Sequence, residues 1–393
     1  METKRYSGNW LTTLLDYTKK QESPEKFHIW SGLSVISAAL GRRCWLHRGY
    51  APVFPNQYII LVGESALCRK TTAANISVDM FKRTKKDLMI EKLTPAYLCQ
   101  HLAECGKADT FGDSATYIYS PELSNLIGMG AYQSGLVSLL TTLYDCPSEM
   151  ESRTKGAGVD IIRNACLNIL GATTMDWMSS SLPGDTVEGG FTGRVIFGVG
   201  EEPKEKNAWL VLTREEMQLR ELLTHDLMII STLRGEFKVT DEARDFYEEW
   251  YMKENNSDED MRLLPYYGRK GTHVLKVAMA FAVAESNDLV IDVLHIDSAL
   301  NALKSAEENM TYAFRGVAFS KVAKDTDRIL RQIEKAGGQM EHAILLKNNY
   351  CFLSAKEFEE VMRTLQESNL VQQVLMAGGK RIYNTIKRKK EEV

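Results

Sequence analysis

Between Asn56 and Ala74 the chain reads NQYIILVGESALCRKTTAA, and no other stretch limits its fold as tightly. Tyr58-Ile-Ile-Leu-Val62 is a run of strand formers that ends at Gly63. A short loop follows, closes on Arg69-Lys70-Thr71-Thr72 and gives way to a helix-like segment. Strand, glycine-bearing loop, Lys-Thr and helix, in that order, are the parts of a phosphate-binding P-loop. Backbone N–H groups at the helix N-terminus face an anion. A lysine neutralises β- and γ-phosphates, and the next hydroxyl reaches Mg²⁺. In this reading Gly63, Ser65, Arg69, Lys70, Thr71 and Thr72 bind the phosphates of ATP, and Thr71 also serves the metal. The spacing departs from the usual G-x-x-x-x-G-K-[ST]: Gly63 and Lys70 are seven positions apart, and Arg69 stands where the second glycine is expected. The alternative is a strand–turn–helix corner with a chance Lys-Thr.

The surrounding pattern suits an α/β core. Strands are expected at 58–62, 115–119, 166–172 and 194–199, and helices at 71–85, 95–105, 134–144 and 176–181. Near-continuous apolar strands separated by helices imply a parallel sheet covered on both faces. Before it, residues 1–50 read as helical, and residues 206–320 read as a helical lid on a core spanning 51–205. Between 325 and 387 two helices are expected at 329–335 and 340–347. A third, at 354–368, opens on a capping box of Ser354 and Glu357. The strands 371–375 and 380–385 then flank Ala377-Gly378-Gly379 as a hairpin. Helices followed by a hairpin suggest a winged helix-turn-helix. Residues 388–393 form a charged tail.

A P-loop ATPase needs an acidic group on a neighbouring strand to orient Mg²⁺ and polarise water. Thr116-Tyr-Ile-Tyr-Ser-Pro-Glu122 is a strand ending at a carboxylate, so Glu122 is the candidate general base and metal ligand. Pro121 occupies the place of the usual aspartate, which puts vigorous hydrolysis in question. A glutamate favoured by a helix dipole is the plainer account. Thr173 and Thr174 end the next strand and are candidate sensors of the γ-phosphate; a simple strand-end turn is the alternative. Glu188-Gly-Gly-Phe-Thr-Gly-Arg194 delivers one arginine to the base of a strand. Such an arginine either reaches a neighbouring subunit's γ-phosphate or is an ordinary strand-edge cation.

The order FHIWSGLSVISAALGRR, FPNQYIILVGES, RKTTA, YIYSPELSNLI, LNILGATTMDW and GGFTGRVIF resembles the helicase-like ATPases of phages, prophages and plasmids, relatives of AAA+ and superfamily 3 replicative helicases. The likeness covers residues of about 10 to 310. It implies a ring, expected to be a hexamer, that hydrolyses ATP with Mg²⁺ at subunit interfaces and moves on single-stranded or forked DNA. By the same likeness Arg269, in YGRKGTHVLK, is a candidate second sensor of bound ATP, against a solvated helix-end cation. Arg153 and Lys155 would lie on a hairpin that grips DNA phosphates in the ring channel, or else on a surface turn. In larger relatives a primase-like domain precedes the ATPase; here the P-loop comes after about 60 residues, so a separate primase or initiator is an expected partner.

Lys380 and Arg381 on the hairpin are further candidate DNA contacts, but Glu357, Glu359, Glu360 and Glu367 make the neighbouring helix a poor groove reader. The net charge of −4 over 393 residues argues against a wholesale nucleic-acid coat and confines such contacts to small patches. Seven scattered cysteines without C-x-x-C spacing read as reduced thiols of a cytoplasmic protein, in a bacterium or an infected cell. The histidines show no H-x-x-x-H or H-E-x-x-H spacing, so no zinc is expected. The polar opening Met1-Glu-Thr-Lys-Arg-Tyr6 has no apolar h-region, so no signal peptide is expected, and no apolar run reaches the roughly 18 residues of a membrane span. Two other functions fit the same residues: an ATP-switched initiator or helicase loader that binds duplex DNA without unwinding it, and a structural ring with a decayed ATPase site.

Overall fold

The computed structural model describes residues 4–64, 68–90, 93–127, 135–154, 158–181, 190–200, 206–254, 263–314, 321–376 and 380–386. The chain forms two compact units, residues 1–313 and 314–393.

The first unit is built on a sheet of β1 (Tyr58–Val62), β2 (Leu88–Met89), β3 (Ala115–Ser120), β4 (Cys166–Thr173) and β5 (Val195–Val199). All neighbours are parallel and the order is β2-β3-β4-β1-β5. Every residue of β1, β4 and β5 is buried, as a sheet covered on both faces requires. Val62 pairs with Thr173 on one side and Val199 on the other, so these three strands end level.

Its described helices of nine or more residues are α1 (Trp10–Thr18), α2 (Glu25–Leu40), α3 (Lys70–Lys82), α4 (Pro95–Ala108), α5 (Leu136–Tyr144), α6 (Arg214–Ile230), α7 (Asp241–Lys253), α8 (Lys270–Glu285) and α9 (Val293–Phe314). From Phe27 to Leu40 only Ile29 of α2 escapes full burial, so this helix is a central pillar rather than an amphipathic cover. Its Ser34 hydroxyl and the Tyr117 hydroxyl of β3 share a buried hydrogen bond of 2.9 Å. Phe27 lies where it would meet a Cβ on either Gly63 or Gly200, so both glycines let α2 approach the end of the sheet closely. Side-chain caps start several helices: Asn9 on α1, Thr94 before Pro95 on α4, and a Thr213–Glu216 capping box on α6. One hydrophobic cluster runs from Trp10 through Ile59, Ile196 and Leu227 to Ala306, so the helices after β5 share their core with the sheet.

Several expectations from the sequence need correction. Residues 44–48 are a strand, pairing with Ala51–Val53 and Gly235–Glu236, because Gly41 at φ 57° ends the helical run. The helix expected at 71–85 stops at Lys82 and gives way to a turn in which Lys85 has φ 58°. The edge strand β2 is two residues long, too short for periodicity to reveal. The region after 206 holds two-residue strands at Gly235–Glu236, Lys238–Val239 and Val290–Ile291 among its helices.

In the second unit α10 (Lys321–Lys335), α11 (His342–Asn349) and α12 (Ala355–Glu367) accompany β6 (Gln339–Glu341), β7 (Val371–Leu375) and β8 (Arg381–Thr385). The antiparallel sheet has the order β6-β8-β7. The segment 339–341, expected to start a helix, is instead the third strand, because it pairs with Ile382–Asn384. Ile329, Ile333, Phe358, Met362, Leu365 and Tyr383 form this unit's own core. Among the described residues no helix is long and apolar enough to cross a membrane.

The tightest backbone approach gives a test. A Cβ on Gly193 would lie 2.5 Å from the Pro265 carbonyl oxygen, whereas one on Gly8 meets nothing within 4 Å. Gly193→Ala is expected to lower stability by about 1–3 kcal/mol, and Gly8→Ala to leave it nearly unchanged, in paired urea denaturation curves.

Candidate functional site

In an open parallel sheet, ligands bind outside the carboxyl ends of the strands. At that edge β1 runs into Gly63, β3 into Pro121-Glu122, and β4 ends at Thr173. The Gly63 N–H donates to the Thr173 carbonyl at 3.3 Å, and the Leu123 N–H to the Ala172 carbonyl at 2.8 Å. These bonds carry the sheet's register into the loops that hold the candidate residues.

Lys70 is the first residue of α3, so its ammonium lies at the positive end of a helix. It is buried, and its Nζ donates to the carbonyls of Gly63 (2.9 Å) and Glu64 (3.0 Å), folding the chain back over the loop. Burial pushes the Lys70 pKa down, opposed by Cys68 and then by Glu122, whose charge is close enough to be felt. Thr71 and Thr72 are exposed at the same helix end. Glu122 is exposed; the Ser124 hydroxyl donates to its Oε1 at 3.3 Å. Ser65 lies outside the described residues.

The two threonines after β4 separate in role. Thr174 uses its hydroxyl to cap the following helical turn, accepting from the Trp177 N–H at 3.2 Å. Thr173 is 1% exposed, and its Oγ1 has no hydrogen-bond partner among the described residues. An orphaned hydroxyl at the end of a central strand is costly unless something polar meets it.

Arg69 is brought to this edge as well. It caps α3 in the left-handed conformation (φ 50°, ψ 33°), the geometry for which a glycine would serve. Its guanidinium is taken by Glu22 at 2.9 Å, and its carbonyl accepts from the Ser23 hydroxyl at 3.2 Å. Glu22 and Ser23 in turn line a cavity of about 270 Å³ with Thr18, Gln21 and His28. His28 is 2% exposed and neither ring nitrogen has a partner among the described residues. Burial pushes its pKa down to about 4, so the ring is neutral at pH 7. Hydrophobic periodicity hides His28 among core residues, and nothing in its spacing marks it.

Arg194 and Arg269 are not at this edge. Arg194 precedes β5, and Val195 pairs with Tyr58 at the start of β1. At about 3.3 Å per residue, a five-residue strand puts it roughly 15 Å from the loop. Its guanidinium is buried, bonded to Asp145 at 2.9 Å and to the Gly190 carbonyl at 3.0 Å. Arg269 caps α8 and lines a small cavity with Asn56, Tyr144, Asp145 and Lys276. As Asn56 precedes β1, that cavity lies at the amino edge, so Arg269 is not placed to sense a ligand held by Lys70 of the same chain. Lys276 is buried there with its ammonium bonded to Asn56 Oδ1 and 4.5 Å from the Tyr144 ring centroid. The sequence reading missed Asp145, Asn56 and Lys276.

The candidate DNA contacts are spread out. Glu149–Thr154 and Gly158–Arg163 form an antiparallel hairpin on which Arg153 is exposed but paired with Glu151 at 2.8 Å. Lys155 falls outside the described residues. In the second unit Arg381 bonds Glu359 at 3.2 Å and His342 Nε2 at 2.9 Å, and Lys380 lies 3.7 Å from Glu341. A cavity of about 780 Å³ is lined by Arg48, Lys238, Tyr247 and Tyr251 among others and holds none of these candidates.

The chain matches no protein-family model and no curated protein.

Two tests follow from this geometry. Arg69→Gly relieves a left-handed non-glycine residue, worth roughly 1–2 kcal/mol. It loses an exposed ion pair worth about 0–1 kcal/mol. A net gain of about 1 kcal/mol is expected in the denaturation midpoint; a loss would show that the Glu22 pair dominates. For His28 the folded pKa is about 4 against 6.5 for the ordinary ring, so the unfolded chain binds the proton first. Its contribution is complete above pH 6.5 and is lost as pH falls through 4, on the order of 3 kcal/mol in all. His28→Leu is expected to flatten this part of the stability profile between pH 7 and 4.5; an unchanged slope would assign it to other groups.

Proposed function

We propose that the protein is an ATP-hydrolysing ring motor on DNA, a P-loop ATPase resembling AAA+ and superfamily 3 replicative helicases, serving the replication of a mobile element. The observation that carries this reading is the gathering of Lys70, Glu122 and the orphaned Thr173 hydroxyl at the carboxyl edge of one parallel sheet. Lys70 and the N–H groups of α3 bind the phosphates. Thr71 and Glu122 present the hard oxygens that suit Mg²⁺, which when bound neutralises charge on the β- and γ-phosphates. Glu122 takes the proton of the attacking water, and Thr173 donates its hydroxyl to the γ-phosphate. The cavity beside Arg69 receives the nucleoside end, where His28 offers one donor and one acceptor.

Arg194 lies at the opposite edge, which suits a group that serves a neighbour's site in a ring and not its own. To reach it, the guanidinium must leave Asp145. The hairpin carrying Arg153 is the proposed grip on single-stranded DNA, together with Lys155, which lies outside the described residues. The second unit, with three helices and a three-stranded antiparallel sheet among its described residues, fits a winged helix-turn-helix. Its cations Lys380 and Arg381 are matched by acids, so protein contacts, for example to a separate primase or initiator, suit it as well as DNA does. The burial of Arg194 favours one further reading, an ATP-switched initiator or loader that binds nucleotide without a motor cycle.

The test is ATP turnover with and without single-stranded DNA. The wild type is expected to turn over faster with DNA, and Lys70→Ala to lose at least about 100-fold. Glu122→Gln is expected to bind ATP with little turnover. Full activity in Lys70→Ala would end the P-loop reading. Turnover indifferent to DNA, or ATP binding without turnover, would move the assignment to the initiator.

A further inference from the structure

Away from the nucleotide edge, three side chains of different chemistry converge beside the sheet's outer strand. His101 and Cys105 are one turn apart on α4, so they share a helix face. Asp87 immediately precedes β2. The His101 Nε2 is 2.7 Å from Asp87 Oδ2 and 3.4 Å from Cys105 Sγ. The three ligand atoms all lie within 4.8 Å of one another. Bond lengths of about 2.0–2.3 Å around a tetrahedral zinc put neighbouring ligand atoms roughly 3.3–3.8 Å apart. The cluster therefore needs only small side-chain shifts to enclose an ion.

We propose that Asp87, His101 and Cys105 form a zinc site that clips the edge strand to α4. Imidazole, thiolate and carboxylate together select zinc over the harder Mg²⁺ or Ca²⁺. Around the three ligands the structure supplies the support such a site uses. The Thr116 hydroxyl of β3 donates to Asp87 Oδ2, fixing the carboxylate from behind. Asp87, Cys105 and Thr116 also line a cavity of about 320 Å³, which leaves room for water as the fourth ligand. All three ligands are half-buried, so the ion has a path in and partial shelter.

The clip has a structural use. Among the described residues β2 pairs with β3 through Leu88↔Tyr117 and Met89↔Ile118, with one further bond from the Tyr117 N–H to the Asp87 carbonyl at 3.1 Å. A two-residue edge strand gains little from its ladder, and a metal bond from Asp87 to α4 holds its start in place. The ligands come from positions 87, 101 and 105, a spacing that no sequence pattern for zinc contains.

The experiment is titration of the metal-stripped full chain with Zn²⁺ and, as a spectroscopic probe, Co²⁺. One equivalent is expected to bind, with a thiolate-to-cobalt charge-transfer band. Zn²⁺ is expected to raise the thermal midpoint by several degrees, as binding to the folded state alone requires. Cys105→Ser and His101→Gln should abolish the band and the shift while keeping the metal-free midpoint. Thr116→Val should weaken binding about 10- to 100-fold. Absence of stoichiometric binding would overturn the site. So would an unchanged band in Cys105→Ser, which would put the ion on other cysteines such as the exposed Cys351. ATP turnover plays no part in either readout, so the result stands apart from the nucleotide reading.

Discussion

Burial of the parallel sheet on both faces is the constraint from which the rest of the first unit follows. The residues of β1, β4 and β5 are fully buried, with α2 and α3 against the sheet and α5 packed on β4. Such strands offer no polar surface along their length. Polar chemistry is displaced to the two ends of the sheet, and each end is specialised. The carboxyl end gathers an ammonium at a helix N-terminus, a carboxylate and a buried hydroxyl with no partner among the described residues. The amino end gathers Arg194, Arg269, Lys276 and Asp145. Phe27 packing at Gly63 and Gly200 sets how closely α2 approaches the first of these ends, and so shapes the cavity that His28 and Ser23 line.

How far the site was legible depended on whether its parts were local in the chain. Lys70, Glu122 and Thr173 each follow a run of strand-forming residues, and a polar residue after such a run in a parallel sheet falls at the carboxyl edge by geometry alone. Arg69 could be placed from its neighbours but not aimed: its side chain is decided by Glu22, forty-seven positions away in sequence. A separation of forty-nine positions hides the partner of Arg194 in the same way, since Asp145 is joined to it only by the fold. His28 reads as one more residue of a buried helix, and only its unpartnered nitrogens distinguish it. The edge strand β2 and the strand at 339–341 escaped notice because short strands carry no period, and their identity comes from the partners they find.

Charge is distributed differently in the two units. At the carboxyl edge of the sheet, the partners of the Lys70 ammonium among the described residues are backbone carbonyls, which an anion can replace at small cost. In the second unit, Arg381 is engaged by both Glu359 and His342, and the Arg381 charge joins burial in pushing the His342 pKa down. A phosphate backbone would have to displace an existing ion pair there. Exposed pairs are weak and screened by salt, so this lowers affinity without forbidding contact. Arg153, paired with Glu151 on its own strand, follows the same pattern.

The central claim is that the carboxyl edge of the sheet is where nucleotide binds. Hydrogen exchange of the full chain, with and without a non-hydrolysable ATP analogue and Mg²⁺, tests it most directly. The expected result is slowed exchange in peptides covering Gly63–Thr72, Ser120–Ser124 and Ala172–Trp177, with residues around Arg269 little changed. Protection confined to the large cavity near Arg48 and Tyr251, or none at saturating analogue, would contradict it.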